Sequence, residues 1–272
     1  MMLLATIAID QIEWKDRQEF WTALNKLCSP ETTCGFSSSG IYSFWDPVKF
    51  ELLYVGLASD LSLRIGQHLG LIQCDYKCCK SKQVEKFVFE NGRIGIGLLL
   101  MSPNDQTILA SRKNRVTDNE RLAEIERALG REAKDMIAHF ESLVLRSHKR
   151  IAEKLPRWNR NAGSKLGQAH ADASLGGLSQ AMSGRFDAAY TSRLSIRDLN
   201  GLPESQIEEF VLHPARMTYP LSNGTFEDHV RWWVKLQGKE CICAQLLDWA
   251  DKINYFAWQP FEVNHIHGEL PR

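Results

Sequence analysis

The feature that most constrains this chain is a pair of tripeptides, Gly40-Ile41-Tyr42 and Tyr54-Val55-Gly56, with eleven residues between their tyrosines. Each lies in a short apolar and aromatic run, GIYSFW at 40–45 and ELLYVGLA at 51–58, of the composition that suits a pleated, half-buried surface. Between the runs Asp46-Pro47 is a turn signal, since proline presets one backbone dihedral and aspartate hydrogen-bonds its own main chain. Two such runs joined by so short a connection predict a β-hairpin, with Tyr42 and Tyr54 facing one pocket across it.

The flanking segments predict helices and strands around that hairpin. Asp60 is placed to cap a helix over DLSLRIGQHL, where Leu61, Ile65 and Leu69 share a face and Arg64 and His68, four apart, share another. RIGIGLLLMS at 93–102 reads as a third, largely buried strand, and 103–118 as a polar, mobile loop. From 118 to 154 the pattern is helical with a break near Gly130, its second part turning Met136, Ile137, Phe140, Val144 and Leu145 toward a core. Residues 1–9 read as a buried strand, without the basic start and small-residue cleavage site of a leader, and 14–28 as an amphipathic helix carrying Trp14, Trp21, Leu24 and Leu27.

Residues 161–184 are rich in Gly, Ala and Ser, the composition of a linker. The organisation expected is therefore an N-terminal extension at 1–36, a domain at 37–165, a linker at 166–184 and a C-terminal region at 185–272. The last holds Trp232, Trp233, Trp249 and Trp258 but no known motif.

Composition excludes several classes. With 44% hydrophobic and 24% charged residues the chain is neither disordered nor a coiled coil, and no apolar run is long enough to span a bilayer, so no membrane partner is expected. Seven cysteines, an odd number without a regular framework, suit a reducing compartment and point to the cytoplasm. Net charge is zero, but residues 1–165 carry 24 Lys/Arg against 20 Asp/Glu and residues 166–272 carry 9 against 13. The tract 146–165 concentrates Arg146, Lys149, Arg150, Lys154, Arg157, Arg160 and Lys165 against the single Glu153, a place where a phosphate backbone can lie.

The two tripeptides at hairpin spacing resemble the GIY-YIG nuclease family. Arg64, eight residues past Gly56, matches the family's helical arginine, Glu141 its later helical glutamate, and Pro156-Arg157-Trp158-Asn159 its proline-to-asparagine ending. The match covers roughly 38–161; the stretch between Arg64 and Glu141 is long, and Glu141 precedes Asn159 by eighteen residues, more than is usual. Phe-Glu-Ser-Leu-Val at 140–144 fits the apolar-Glu pattern, with Glu132 as the alternative. The resemblance implies an α+β fold, a small antiparallel three-stranded sheet flanked by helices, and metal-dependent cleavage of DNA phosphodiester bonds. The Arg64/His68 spacing resembles restriction-type members more than repair or mobile-element ones.

Phosphodiester hydrolysis needs a positioned water, an acceptor for its proton, and positive charge on the transition state and leaving oxygen. On the resemblance, Glu141 would hold Mg²⁺, which tolerates a single protein carboxylate because it keeps waters and takes substrate oxygens. Arg64 offers planar donors that stay charged and match phosphate oxygens. Tyr42 and Tyr54 would orient the water, one of them accepting its proton, and His68 would take the proton from Tyr42 or from water. Gly40, Gly56, Arg157 and Asn159 would line the substrate's path, Asn159 equally serving to fix the loop after the helix. Outside such a motif each of these residues reads more plainly: a solvated glutamate, a surface ion pair, packed tyrosines, a satisfied histidine.

The competing class is a nucleic-acid-binding or interaction protein that keeps the fold without turnover; RNA offers the same phosphodiester. A double-strand cut needs two active sites, supplied by a homodimer or by two sequential nicks. Cys74, Cys78 and Cys79, and Cys241-x-Cys243 ahead of His265-x-His267, lack zinc-knuckle spacing and read as free thiols.

Overall fold

The hairpin forms from strand β2 (Gly40–Asp46) and strand β3 (Glu51–Ala58), with Tyr42 opposite Gly56 and Phe44 opposite Tyr54. Asp46 makes its turn, Oδ1 accepting from the main-chain N–H groups of Val48 at 2.9 Å and Lys49 at 3.1 Å. The computed structural model to which these elements belong describes residues 4–28, 39–74, 79–101, 120–165, 168, 176–185, 187, 189–201, 212, 215–216 and 225–237. The loop expected at 103–118, most of 166–175, Cys78, Trp249, Trp258 and the Cys241/His265 segment lie outside the described residues.

Before the hairpin come strand β1 (Leu4–Glu13), a 3-10 turn at Trp14–Asp16 and helix α1 (Arg17–Leu27). After it come helix α2 (Leu61–His68), helix α3 (Ser81–Asn91), strand β4 (Arg93–Met101) and helix α4 (Glu120–Ala152). Helix α5 (Gly176–Ala181), strand β5 (Thr191–Ser195), helix α6 (Ile196–Gly201) and helix α7 (Phe226–Gln237) complete the described elements.

The five strands form one sheet in the order β3-β2-β4-β1-β5. This corrects the expectation of a small antiparallel three-stranded sheet, because β1 pairs antiparallel with β4 and β5 pairs parallel with β1, making a mixed sheet. The physical reason is that β4 is buried on both sides and needs hydrogen-bond partners along both edges; β2 satisfies one and β1 the other. The N-terminal residues are thus part of the sheet, and β5 joins it from beyond the Gly/Ala/Ser-rich stretch. Asp10, fully buried on β1, secures that junction: Arg197 of α6 donates to it from Nε at 3.1 Å and Nη2 at 2.9 Å.

Strand periodicity sorts the core into two layers. Ile94, Ile96, Leu98 and Leu100 of β4 point, with Tyr42 and Phe44, toward α1, α2, α3 and α6. Ile41, Trp45 and Leu99 point the other way, toward Ile137, Phe140 and Val144 of α4 and Leu178 of α5. Glycine at 95 is required there, since a Cβ would collide with the Trp45 indole. Helix α4 runs unbroken through Gly130, where the sequence predicts a break; it ends at Ala152, and Glu153 (φ 57) turns the chain back with Pro156 soon after. That reversal lays 156–159 along the outer edge of β3, where the Trp158 N–H donates to the Leu53 carbonyl at 2.8 Å. No helix among the described residues is long and apolar enough to cross a membrane.

Candidate active site

Four of the expected residues meet on one face of the sheet. Tyr42 projects from the middle of β2, its ring centroid 5.8 Å from that of Tyr54 and 5.3 Å from that of His68. Asp60 caps α2, Oδ1 accepting from the Leu63 N–H at 2.9 Å, so that the helix starts directly after β3 and its second turn crosses the hairpin. Arg64 and His68 therefore both reach Tyr42: the Tyr42 hydroxyl lies 2.7 Å from His68 Nε2 and accepts from Arg64 Nε at 3.3 Å. Arg64 also donates from Nη1 to Gln67 Oε1 at 3.1 Å, which holds the guanidinium beside the tyrosines.

Gly56 faces Tyr42 across the hairpin, and a Cβ there would lie 2.7 Å from the Tyr42 Oη and 2.8 Å from a Tyr54 ring carbon. Gly40 is held likewise, by the Leu99 carbonyl behind it. The structure thus gives both motif glycines a packing reason, close approach of backbone to ring or carbonyl.

Two further residues reach this site, Lys80, which carried no sequence signal, and Cys79, which reads in the sequence only as a free thiol. Lys80, 8% exposed, places its ammonium 5.1 Å from the Tyr54 ring centroid, and its main-chain N–H donates to His68 Nδ1 at 2.9 Å. Cys79 lies 3.6 Å from the same nitrogen and donates to the Gln67 carbonyl at 3.4 Å. Neither residue belongs to a motif, and both reach the site through a connection whose path only the fold determines.

The electrostatics follow from burial. His68 is pushed down to about 3 by desolvation, with the Arg64 and Lys80 charges adding to it, so the imidazole is neutral at neutral pH. Burial and then the neighbouring Tyr54 hold the Tyr42 phenol well above its ordinary value, against the opposing Arg64 charge.

The remaining expected residues are placed differently. Glu141 belongs to α4, on the other layer, and no hydrogen bond or ion pair among the described residues joins it to the tyrosine network. It stands on the stripe of α4 that also carries Ile137, Val144 and His148, a core-facing position, and burial raises its carboxyl to about 7. That is neither a solvated surface glutamate nor a salt-bridge partner. The side chain of Glu132 lies outside the described residues.

Asn159 clamps the edge of β3: Oδ1 accepts from the Val55 N–H at 2.9 Å and Nδ2 donates to the Val55 carbonyl at 2.8 Å. Arg157 is exposed, its guanidinium 5.8 Å from the Phe87 ring and 5.9 Å from the Trp158 ring. With Arg146, Lys149, Arg150, Lys154, Arg160 and Lys165 it forms an exposed basic tract from the end of α4 to the β3 edge.

Among the described residues no group of three or more His, Cys, Asp and Glu is gathered as a metal cage. Glu141, the one residue expected to hold a divalent cation, is a carboxyl raised by burial. Compared with known proteins, the chain matches no family model, no curated protein and no solved structure.

Proposed function

We propose that this protein is an endonuclease that hydrolyses DNA phosphodiester bonds with a metal-assisted site of the GIY-YIG kind. The observation that carries the reading is the cluster on one face of a β-hairpin in which His68 and Arg64 hydrogen-bond the Tyr42 hydroxyl and Tyr54 packs beside it. In that reading Arg64 binds the non-bridging phosphate oxygens and stays charged through the transition state. The tyrosine hydroxyls orient the attacking water, and the edge of β3 beside Arg157 and Asn159 borders the strand being cut. Glu141 would hold Mg²⁺, which when bound supplies Lewis-acid charge to the phosphate. The exposed tract from Arg146 to Lys165 supports a polyanionic partner, because lysine and arginine on a backbone track release counterions.

A second reading, a nucleic-acid-binding protein without turnover, is favoured by one observation: Glu141 sits on the opposite layer from Tyr42 with no bond to the network. The deciding experiment is cleavage of supercoiled plasmid and of single-stranded RNA by the purified chain and by Glu141→Gln, each with Mg²⁺ and with EDTA. Metal-dependent plasmid cutting that disappears in the variant supports the endonuclease. RNA cutting alone moves the substrate, and binding of a panel of sequences without cutting any of them supports the second reading. Sedimentation of the active species on DNA distinguishes a homodimer from sequential nicking.

A further inference from the structure

The direction of the hydrogen bonds around His68 can be read from the fold, and it reverses the role that the residue's type suggests. A main-chain amide can only donate, so the Lys80 N–H, 2.9 Å from Nδ1, requires a lone pair on that nitrogen. The Cys79 thiol, 3.6 Å from Nδ1, leaves this unchanged, since a thiol turned toward the ring would also donate. A neutral imidazole with a lone pair on Nδ1 carries its hydrogen on Nε2. Nε2 then donates to the Tyr42 hydroxyl, 2.7 Å away.

That hydroxyl also accepts from Arg64 Nε at 3.3 Å, and Gly56 closes the side where a Cβ would lie 2.7 Å from the oxygen. With those two donors in place, the Tyr42 hydrogen must point elsewhere, and Tyr54 is the neighbouring tyrosine, its ring centroid 5.8 Å away. Of the two tyrosines Tyr42 is 1% exposed and Tyr54 is half-buried, so His68 and Arg64 donate to the inner hydroxyl and Tyr54 stands on the side a water or substrate can reach.

We propose that the Lys80 main-chain amide fixes His68 as a hydrogen-bond donor to Tyr42, making His68 a positioning residue that polarises the network toward Tyr54 and accepts no proton from Tyr42 or from an attacking water. The groups facing His68 are Tyr42 from β2, Tyr54 from β3, Arg64 from its own helix, and Cys79 and Lys80 from the approach to α3. None is an acid that would hold the ring protonated. The kinetic consequences rest on the nuclease reading; the tautomer is a property of the folded chain and is measured without it.

The test is long-range proton–nitrogen NMR of the ring of His68 in ¹⁵N-histidine-labelled protein from pH 5 to 9, the signal assigned by its loss in His68→Gln. The expected result is a hydrogen on Nε2 and none on Nδ1 throughout, without titration. Lys80→Ala removes the ammonium but keeps the amide and should keep that tautomer. Lys80→Pro removes the amide at the N-cap of α3, where the ring must draw φ in from −104°, and, in a variant shown to be folded, should mix the tautomers. A wild-type hydrogen on Nδ1, a His68 that titrates near 6.5, or an unchanged tautomer in a folded Lys80→Pro variant overturns the proposal.

Where cleavage is measurable, His68→Gln, which retains an N–H donor, should keep activity within about tenfold and leave the acid limb of the pH profile in place. His68→Ala should lose about a hundredfold or more. Equal losses in both, with disappearance of the acid limb, would make His68 a proton acceptor and sink the idea. If the protein cuts nothing, the nuclease reading fails, while the tautomer measurement still decides the direction of the His68–Tyr42 bond.

Discussion

The two faces of the sheet treat their ionisable groups in opposite ways. On the Tyr42 face a buried histidine, a buried tyrosine and an arginine are linked by hydrogen bonds whose donors and acceptors match. On the α4 face Glu141 shares a helix stripe with the buried Ile137 and Val144, and burial alone accounts for its shift. The contrast shows two consequences of burial: in the first it secures one geometry, and in the second it makes the charge of a carboxyl costly. It also gives the faces opposite responses to pH.

The sharpest way to break the comparison is Glu141→Gln. If the carboxyl is held in reserve for a metal, cleavage should fall by about a thousandfold or more. The variant should meanwhile be more stable than wild type above pH 7, because it no longer buries a charge. The sign follows from the raised value, about 7: the folded protein holds the proton more tightly than the unfolded chain, so wild-type stability is highest below about 4.5 and falls as pH rises to 7. Equilibrium denaturation at pH 4 and pH 8 measures this; a variant less stable than wild type at pH 8 would show that the carboxylate already has a partner.

His68 should give the opposite slope. With a folded value of about 3 against an ordinary 6.5, its stabilising contribution is complete above about 6.5 and is lost as pH falls toward 3. The loss is on the order of a few kcal/mol. His68→Gln should flatten that limb of the stability profile, and an unchanged limb would mean that the imidazole is not buried neutral.

Tyr42→Phe should cost about 1–3 kcal/mol, because it leaves the buried His68 Nε2–H without its acceptor, whereas Tyr54→Phe, at the half-exposed end, should cost less. Equal costs would blur the inside-to-outside order of the network. The smallest effect belongs to the exposed tract. Arg157→Ala and Arg160→Ala should each lower the salt slope of DNA binding by about one, with stability changed by under about half a kcal/mol.

Local elements were legible in the residues. The hairpin, its Asp46 turn, the Asp60 cap and the shared reach of Arg64 and His68 all follow from periodicity and turn chemistry, which act within a few residues of themselves. The Tyr42–Tyr54–Arg64–His68 cluster was singled out by the resemblance to the GIY-YIG family, and its residues meet because one hairpin and the helix directly after it hold all four.

What tertiary structure decided lies at longer range. The apolar run at 93–101 marks a largely buried strand, but it carries no label for the strand that pairs with each edge, so the insertion of β1 and β5 into the sheet had no sequence signature. A core-facing glutamate and a surface glutamate are the same letter until the helix is docked, which is why only the packing of α4 distinguishes Glu141. The Lys80 amide is the extreme case. Every residue but proline has a main-chain N–H, and only the path of the chain from α2 to α3 puts this one against His68, where it dictates which way the hydrogen bonds point.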